Sequence, residues 1–265
     1  MRLIDLTRTL RGSDYERLPE PVKPSSSVLV PKLEFFHPRD RGADVMCQIF
    51  GCERDDLPAG EGWGEERVSI NSHIGTHVDA PLHYGSMCEG QPARTIEQIE
   101  LEELFCDTLV LDLRELAVPG EAIEVAALDE ALLRCGGTVT DGCAVLLRTG
   151  MERFGLEDLR YYNYPGMTRE STLHLANLGA KVLGTDALGW DRPFGVMRRA
   201  FRESGDRSLI WDGHFAGRER EVFIVQQLVN LDQLPGHGFK VGFFPIKLAD
   251  CSAAPARVVA FLPNM

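Results

Sequence analysis

Ser72-His73-Ile74-Gly75-Thr76-His77-Val78-Asp79-Ala80-Pro81-Leu82-His83 gathers three of the chain's seven histidines and one aspartate. Imidazole nitrogens and a carboxylate are the usual ligands of Zn, Mn or Fe(II). His73, His77, Asp79 and His83 are all odd-numbered, so a regular strand would put them on one face. Four strand steps of about 3.3 Å each would, however, separate His73 from His77 by roughly 13 Å. Ligands of one ion, each bound at about 2 Å, must lie much closer than that. If the segment holds a metal it therefore bends, and Gly75 and Pro81 supply the means. Two imidazoles and one carboxylate leave a divalent ion with open positions. Such an ion lowers the pKa of its water toward about 7 and polarises a carbonyl, which favours attack on an amide, imide or ester. The competing reading is a satisfied polar turn with no ion.

The elements that must position these residues follow from periodicity. Residues 3–10 alternate as a strand does, and 11–27, with Pro19, Pro21 and Pro24, read as loop. Residues 28–66 mix short apolar runs with Gly and Pro and read as an irregular insert that covers the site or forms an oligomer interface. Trp63, between Gly62 and Gly64, is a candidate substrate wall or a loop anchor. A strand at 67–70 leads into the histidine segment, and 94–105 suit a short helix or turn. Strands are expected at 106–113, 143–148, 180–188, 208–211, 222–225, 241–246 and 257–262. Helices are expected at 121–135, at 171–178 with Ser171 as cap, and at 193–204. The alternation of strand and helix indicates an α/β domain with a mixed sheet and flanking helices. The whole chain, 1–265, reads as a single domain. His174 reads as a surface or core histidine, and Asp186 and Asp191 as structural. Arg218 suits an anionic substrate group or an exposed ion pair.

The chain has 265 residues, 44% of them hydrophobic, and a formal net charge of −12. That charge argues against nucleic acid or an anionic membrane as partner. No apolar run of about 18 residues suggests a membrane span, and Asp5 interrupts the apolar start of the chain. The seven cysteines include no Cys-x-x-Cys pair, which suits free thiols in a reducing cytoplasm. The expected partner is a small-molecule substrate in a cytoplasmic protein.

The segment matches His-x-Gly-Thr-His-x-Asp-x-Pro-x-His, and so resembles the metal-dependent cyclase family, which includes bacterial kynurenine formamidases and isatin hydrolases. The likeness continues in Trp211-Asp212-Gly213-His214-Phe215-Ala216-Gly217-Arg218, in Val225-Gln226-Gln227-Leu228-Val229-Asn230-Leu231, in Leu183-Gly184-Thr185-Asp186-Ala187-Leu188 and in Leu3-Ile4-Asp5-Leu6-Thr7. It implies a swivelling β/β/α fold and a homodimer or homotetramer. By resemblance, His73, His77 and Asp79 are metal ligands, His83 is the general acid/base, and His214 corresponds to a ligand of a second ion. Gln226 stands where those relatives carry a glutamate bridging two ions. Without that negative charge a second dication is poorly held. The expectation is therefore one Mn or Zn per chain on His73, His77 and Asp79, with Gln226 as a further ligand through its oxygen. His214 is then free for substrate binding or proton transfer. The implied activity is hydrolysis of an amide-type C–N bond in an aryl-formamide or cyclic amide. A polyketide-type cyclase or dehydratase is the alternative. A non-haem Fe(II) oxygenase built on His77, Asp79 and His214, and a metal-stabilised binding protein, rank below it.

Overall fold

The computed structural model describes residues 1–264. Its centre is an eight-stranded mixed sheet. Strands Phe105–Asp112, Ala144–Arg148, Val182–Thr185 and Phe223–Gln226 run parallel to one another in that order. They are apolar almost throughout, as parallel strands covered on both faces must be. Phe239–Pro245 flanks Phe105–Asp112 antiparallel, and Ala253–Leu262 pairs with it. The three-residue strand His77–Asp79 is wedged between Phe223–Gln226 and Ala253–Leu262, antiparallel to both. That wedge closes seven strands into a ring. The first strand, Arg2–Asp5, sits outside it on the remaining length of Ala253–Leu262.

Strand alternation sorts the side chains into two layers. Val78, Val110, Leu146, Val225, Val241 and Val258 fill the inside of the ring. Leu109, Leu111, Val145, Leu183 and Ile224 face outward, against Leu128 and Ala131 of helix Val125–Cys135 and Leu175 and Ala176 of helix Arg169–Asn177. Because Val78 points in, His77 and Asp79 point out. They share that face with their cross-strand partners Gln226 and Ile224.

Several expected elements are corrected here. Residues 28–66 are not irregular. They hold strand Lys32–Phe36 and helix Arg41–Phe50, and Lys32–Phe36 pairs antiparallel with Glu65–Ser69 as a two-stranded ribbon. Helix Arg169–Asn177 begins two residues early because Thr168, not Ser171, is its cap. Ser171 is the third helical residue and returns a hydrogen bond to the Thr168 N–H, which is the reciprocal capping arrangement. Residues 208–211 form no strand, since Arg207–Leu209 is a 3-10 turn and Trp211 starts the short helix Asp212–Phe215.

Candidate metal and catalytic centre

The bend required by the histidine spacing is present. Residues 72–76 turn before the strand begins at His77, and Gly75 takes a positive φ of 57°, where a Cβ is disfavoured. A Cβ there would also meet the Leu10 side chain at 2.6 Å. Asn71 Oδ1 accepts the His73 N–H at 2.9 Å and sets the start of the turn. The His73 and His77 rings lie 5.3 Å apart, centroid to centroid.

Asp79 is the hub. It is fully buried, and each of its oxygens faces two nitrogens. Oδ1 bonds His73 Nδ1 at 2.8 Å and lies 3.4 Å from His77 Nε2. Oδ2 accepts from Gln226 Nε2 at 2.8 Å and lies 3.6 Å from His214 Nε2. Burial alone would raise its pKa, but the surrounding imidazoles outweigh burial and hold the carboxyl well below the usual range. Tyr84 braces the strand behind it. The Tyr84 hydroxyl donates to the Asp79 carbonyl at 3.3 Å and accepts the Ile224 N–H at 3.0 Å.

The histidines present defined nitrogens to this hub. His77 Nδ1 is bonded to the Gly75 carbonyl at 2.7 Å, which leaves Nε2 toward Asp79. His214 Nδ1 is bonded to Asp191, which leaves Nε2 toward Asp79 and Gln226. Locking one ring nitrogen on a carbonyl or carboxylate is how proteins orient imidazole ligands. His83 lies beside His73, with centroids 3.9 Å apart and the rings tilted by 36°. Burial lowers His83 to about 4, and the neighbouring histidines add to the effect against the pull of Asp79. Burial also opposes charge on His214, but Asp191 and Asp79 prevail and raise it to about 9.

This donor set fits a divalent cation. A buried carboxylate faces three imidazoles, two of them fixed in their tautomer from behind, which is a mixed N/O set suited to Zn or Mn. Among the described residues, His73, Asp79 and His83 form the group whose ligand atoms all lie within 4.8 Å of one another. His83 thus lies within ligand range of His73 and Asp79, although it makes no direct contact with Asp79 of the kind that His73 and His77 make. Gln226 lies at the centre, yet it turns its amide nitrogen toward Asp79. To ligate through oxygen, the amide must turn over. Trp63 forms no hydrogen bond or ring stack with this cluster among the described residues. It is 37% exposed, and its carbonyl packs on the Gly42 backbone, where a Cβ would come within 2.0 Å.

Two members of the site were missed from the sequence. Trp211 is an aromatic side chain packed directly on this cluster. It stacks on His214 with centroids 4.4 Å apart and meets the His83 ring edge-on at 4.9 Å. Its φ of 54° is unusual for a bulky residue and is the kind of strain that collects at functional sites. Asp191, read as structural, orients His214. Asp186 instead closes a turn, accepting from Thr149, Gly150 and Glu152. Among the described residues Arg218 has no ion-pair partner. Its Nε donates to the Tyr84 carbonyl, and its guanidinium lies over Phe215.

The Cyclase family model matches residues 4–192. A kynurenine formamidase of Erythrobacter litoralis is 29% identical over 79% of this chain and 83% of its own length. An isatin hydrolase of Roseibium aggregatum is 24% identical over 74% of this chain and 73% of its own. In structure, isatin hydrolase A from Labrenzia aggregata superposes with a TM-score of 0.74 at 22% identity, covering 99% of this chain and 94% of that one.

Proposed function

The chain belongs to the Cyclase family, and from that premise we propose that its histidine–aspartate centre hydrolyses an amide-type C–N bond. The substrate class is a small aryl-formamide or cyclic amide, as the names of the kynurenine formamidase and isatin hydrolase relatives suggest. The observation that carries this reading is Asp79, buried at 0% exposure and faced by His73, His77 and His214. One divalent ion, Mn or Zn, would be held by Asp79, His73 and His77. Such an ion supplies a Lewis acid and a water of lowered pKa.

The remaining work falls to this chain's own side chains. His83, held neutral at pH 7 by its low pKa, takes a proton from the attacking water and returns it to the leaving nitrogen. His214 carries the opposite bias. Held by Asp191 through Nδ1, it is the donor for negative charge developing on the carbonyl oxygen. Two rings 5.4 Å apart with pKa values pushed in opposite directions make an acid and a base. Trp211, stacked on one ring and edge-on to the other, keeps both from swinging and shields them from water.

The exposed ribbon supports a homo-oligomer, a dimer at the least, as the working assembly. All five residues of Glu65–Ser69 are exposed, and so are Phe35 on the paired strand and Ile49 and Phe50 at the end of helix Arg41–Phe50. A lone two-stranded ribbon is marginal in water, and apolar side chains of this number favour burial against a second copy. Sedimentation velocity tests this, with a dimer or larger assembly expected and a monomer contradicting it. No described helix is long and apolar enough to cross a membrane. The enzymatic reading is tested by loading purified protein with Mn or Zn and following formate release from formanilide and ring opening of isatin. Turnover that chelation abolishes and metal restores is expected. No turnover of either compound with either metal would contradict it.

A further inference from the structure

We propose that Arg8 binds a carboxylate on the substrate, so that the centre prefers anionic amides to neutral ones; this deepens the hydrolase reading above and rests on it. Arg8 crosses the catalytic turn just after the first strand. Its backbone N–H donates to Thr76 Oγ1 at 2.8 Å, and Thr76, 3% exposed, directly precedes His77. Its guanidinium lies over the ring of buried Tyr161, 4.6 Å from the centroid. The Tyr161 hydroxyl donates to Gln227 Oε1 at 3.4 Å, and Gln227 follows Gln226. Arg8 is therefore tied to both chain segments that build the hub, the one carrying His77 and the one carrying Gln226.

The guanidinium is left without an acceptor. Nε and Nη2 of Arg8 are both buried, and neither finds a hydrogen-bond partner among the described residues. These two nitrogens form one edge of the planar fork, the edge that matches the two oxygens of a carboxylate. Elsewhere in the chain the same edge is used in that way. Arg257 sets Nε and Nη2 on the Asp5 oxygens at 3.0 and 2.7 Å. Arg114 does the same to Asp112, and Arg160 to Asp158. Asp186, the carboxylate that shares the surroundings of Tyr161, is already taken by the Thr149 hydroxyl and three backbone N–H groups.

Arg8 is half-buried, and two donors of a charged group buried without a partner are costly; in a chain of net charge −12 carboxylates are not scarce. Buried orphan donors in a native protein call for an explanation. The contact with the Tyr161 ring holds the guanidinium in place, with its buried Nε and Nη2 edge unpaired. A carboxylate arriving on the substrate completes the pair.

The test compares binding of benzoate and its neutral isostere benzamide to the metal-loaded protein, by ligand-observed NMR. Charge-assisted bidentate pairs are worth a factor of about 10 to 100 in affinity. Arg8→Met is expected to weaken benzoate by about tenfold or more and to leave benzamide unchanged, without lowering the melting temperature. Benzoate binding that survives Arg8→Met would overturn the proposal. If that variant fails to fold, Arg8→Lys decides. It keeps the charge but not the fork, so weaker benzoate binding supports the proposal and unchanged binding overturns it. Turnover of 2-formamidobenzoate against formanilide reads the same preference in kcat/KM, which Arg8→Met should erase. Should the wild type cleave neither compound, the hydrolase reading fails, while the benzoate measurement still decides the role of Arg8.

Discussion

Asp191 grips His214 twice. It accepts from Nδ1 of the ring, and it also accepts the backbone N–H groups of Gly213 at 2.6 Å and His214 at 3.3 Å. One carboxylate thus fixes both the imidazole and the turn that carries it. The fit is tight, because a Cβ on Gly213 would meet Asp191 Oδ1 at 3.0 Å.

Asp191→Asn keeps the acceptors for the backbone but puts an amide N–H₂ or a neutral oxygen against Nδ1. The negative charge that raises the His214 pKa is lost with it. A loss of about 10- to 100-fold in kcat/KM is expected, the usual range for a partner that orients a site histidine. Steady-state kinetics alongside a thermal melt separate this from unfolding. An unchanged kcat/KM in a folded variant would remove Asp191 from the machinery.

His83→Ala removes the neutral base while Asp79, His73 and His77 stay in place. Metal content should persist and kcat should fall by about 10²- to 10⁴-fold, the typical worth of a positioned proton-transfer group. Since His73, Asp79 and His83 lie within mutual ligand range, metal analysis of this variant also decides whether His83 is a ligand. Loss of the ion would move it from the acid/base role to the ligand set.

Gln226→Glu restores a charge beside Asp79. Two carboxylates with His214 between them should bind a second dication that the amide cannot hold. Titration calorimetry with Mn should then count two ions per chain in the variant against one in the wild type. Two ions in the wild type would show that the amide is no obstacle.

Away from the site, Arg94 bonds Glu103 at 2.7 and 2.8 Å and Glu221 at 3.0 and 2.6 Å. The Arg94 bonds hold the Glu103 carboxyl below its ordinary 4.5. A carboxyl whose folded-state pKa is depressed contributes stability that is fully present above its unfolded value. That stability is lost as pH falls through the lower, folded value. Urea denaturation between pH 7 and pH 3 should show this loss. Arg94→Met should cost about 1–3 kcal/mol at pH 7 and flatten the acid limb. A variant with the wild-type acid limb would place the loss elsewhere.

The hub was legible from residue types alone because His73, His77, Asp79 and His83 are close in sequence, and ligand geometry then demands a bend. The distal residues were found through resemblance, since nothing local marks His214 or Gln226. Asp191 read as merely structural for a physical reason: its partner His214 is 23 residues away, and only the fold brings them together. Trp211 was passed over because its position depends on a strained backbone at the head of a four-residue helix. Ring closure was equally hidden. It depends on a three-residue strand, His77–Asp79, pairing with segments about 150 and 175 residues further on, where periodicity carries no information. The ribbon pairs Lys32 with Ser69 across a helix; its second strand was expected at 67–70, but the Gly and Pro content of 28–66 masked the first.

The most direct measurement is the metal content of the purified wild type beside Asp79→Asn, by mass spectrometry of the ion after exhaustive dialysis. One divalent ion per chain in the wild type and none in the folded variant are expected, because the amide loses the charge around which the imidazoles gather. A wild type that retains no ion, or an Asp79→Asn variant that holds it as tightly, would contradict a metal centre built on this carboxylate.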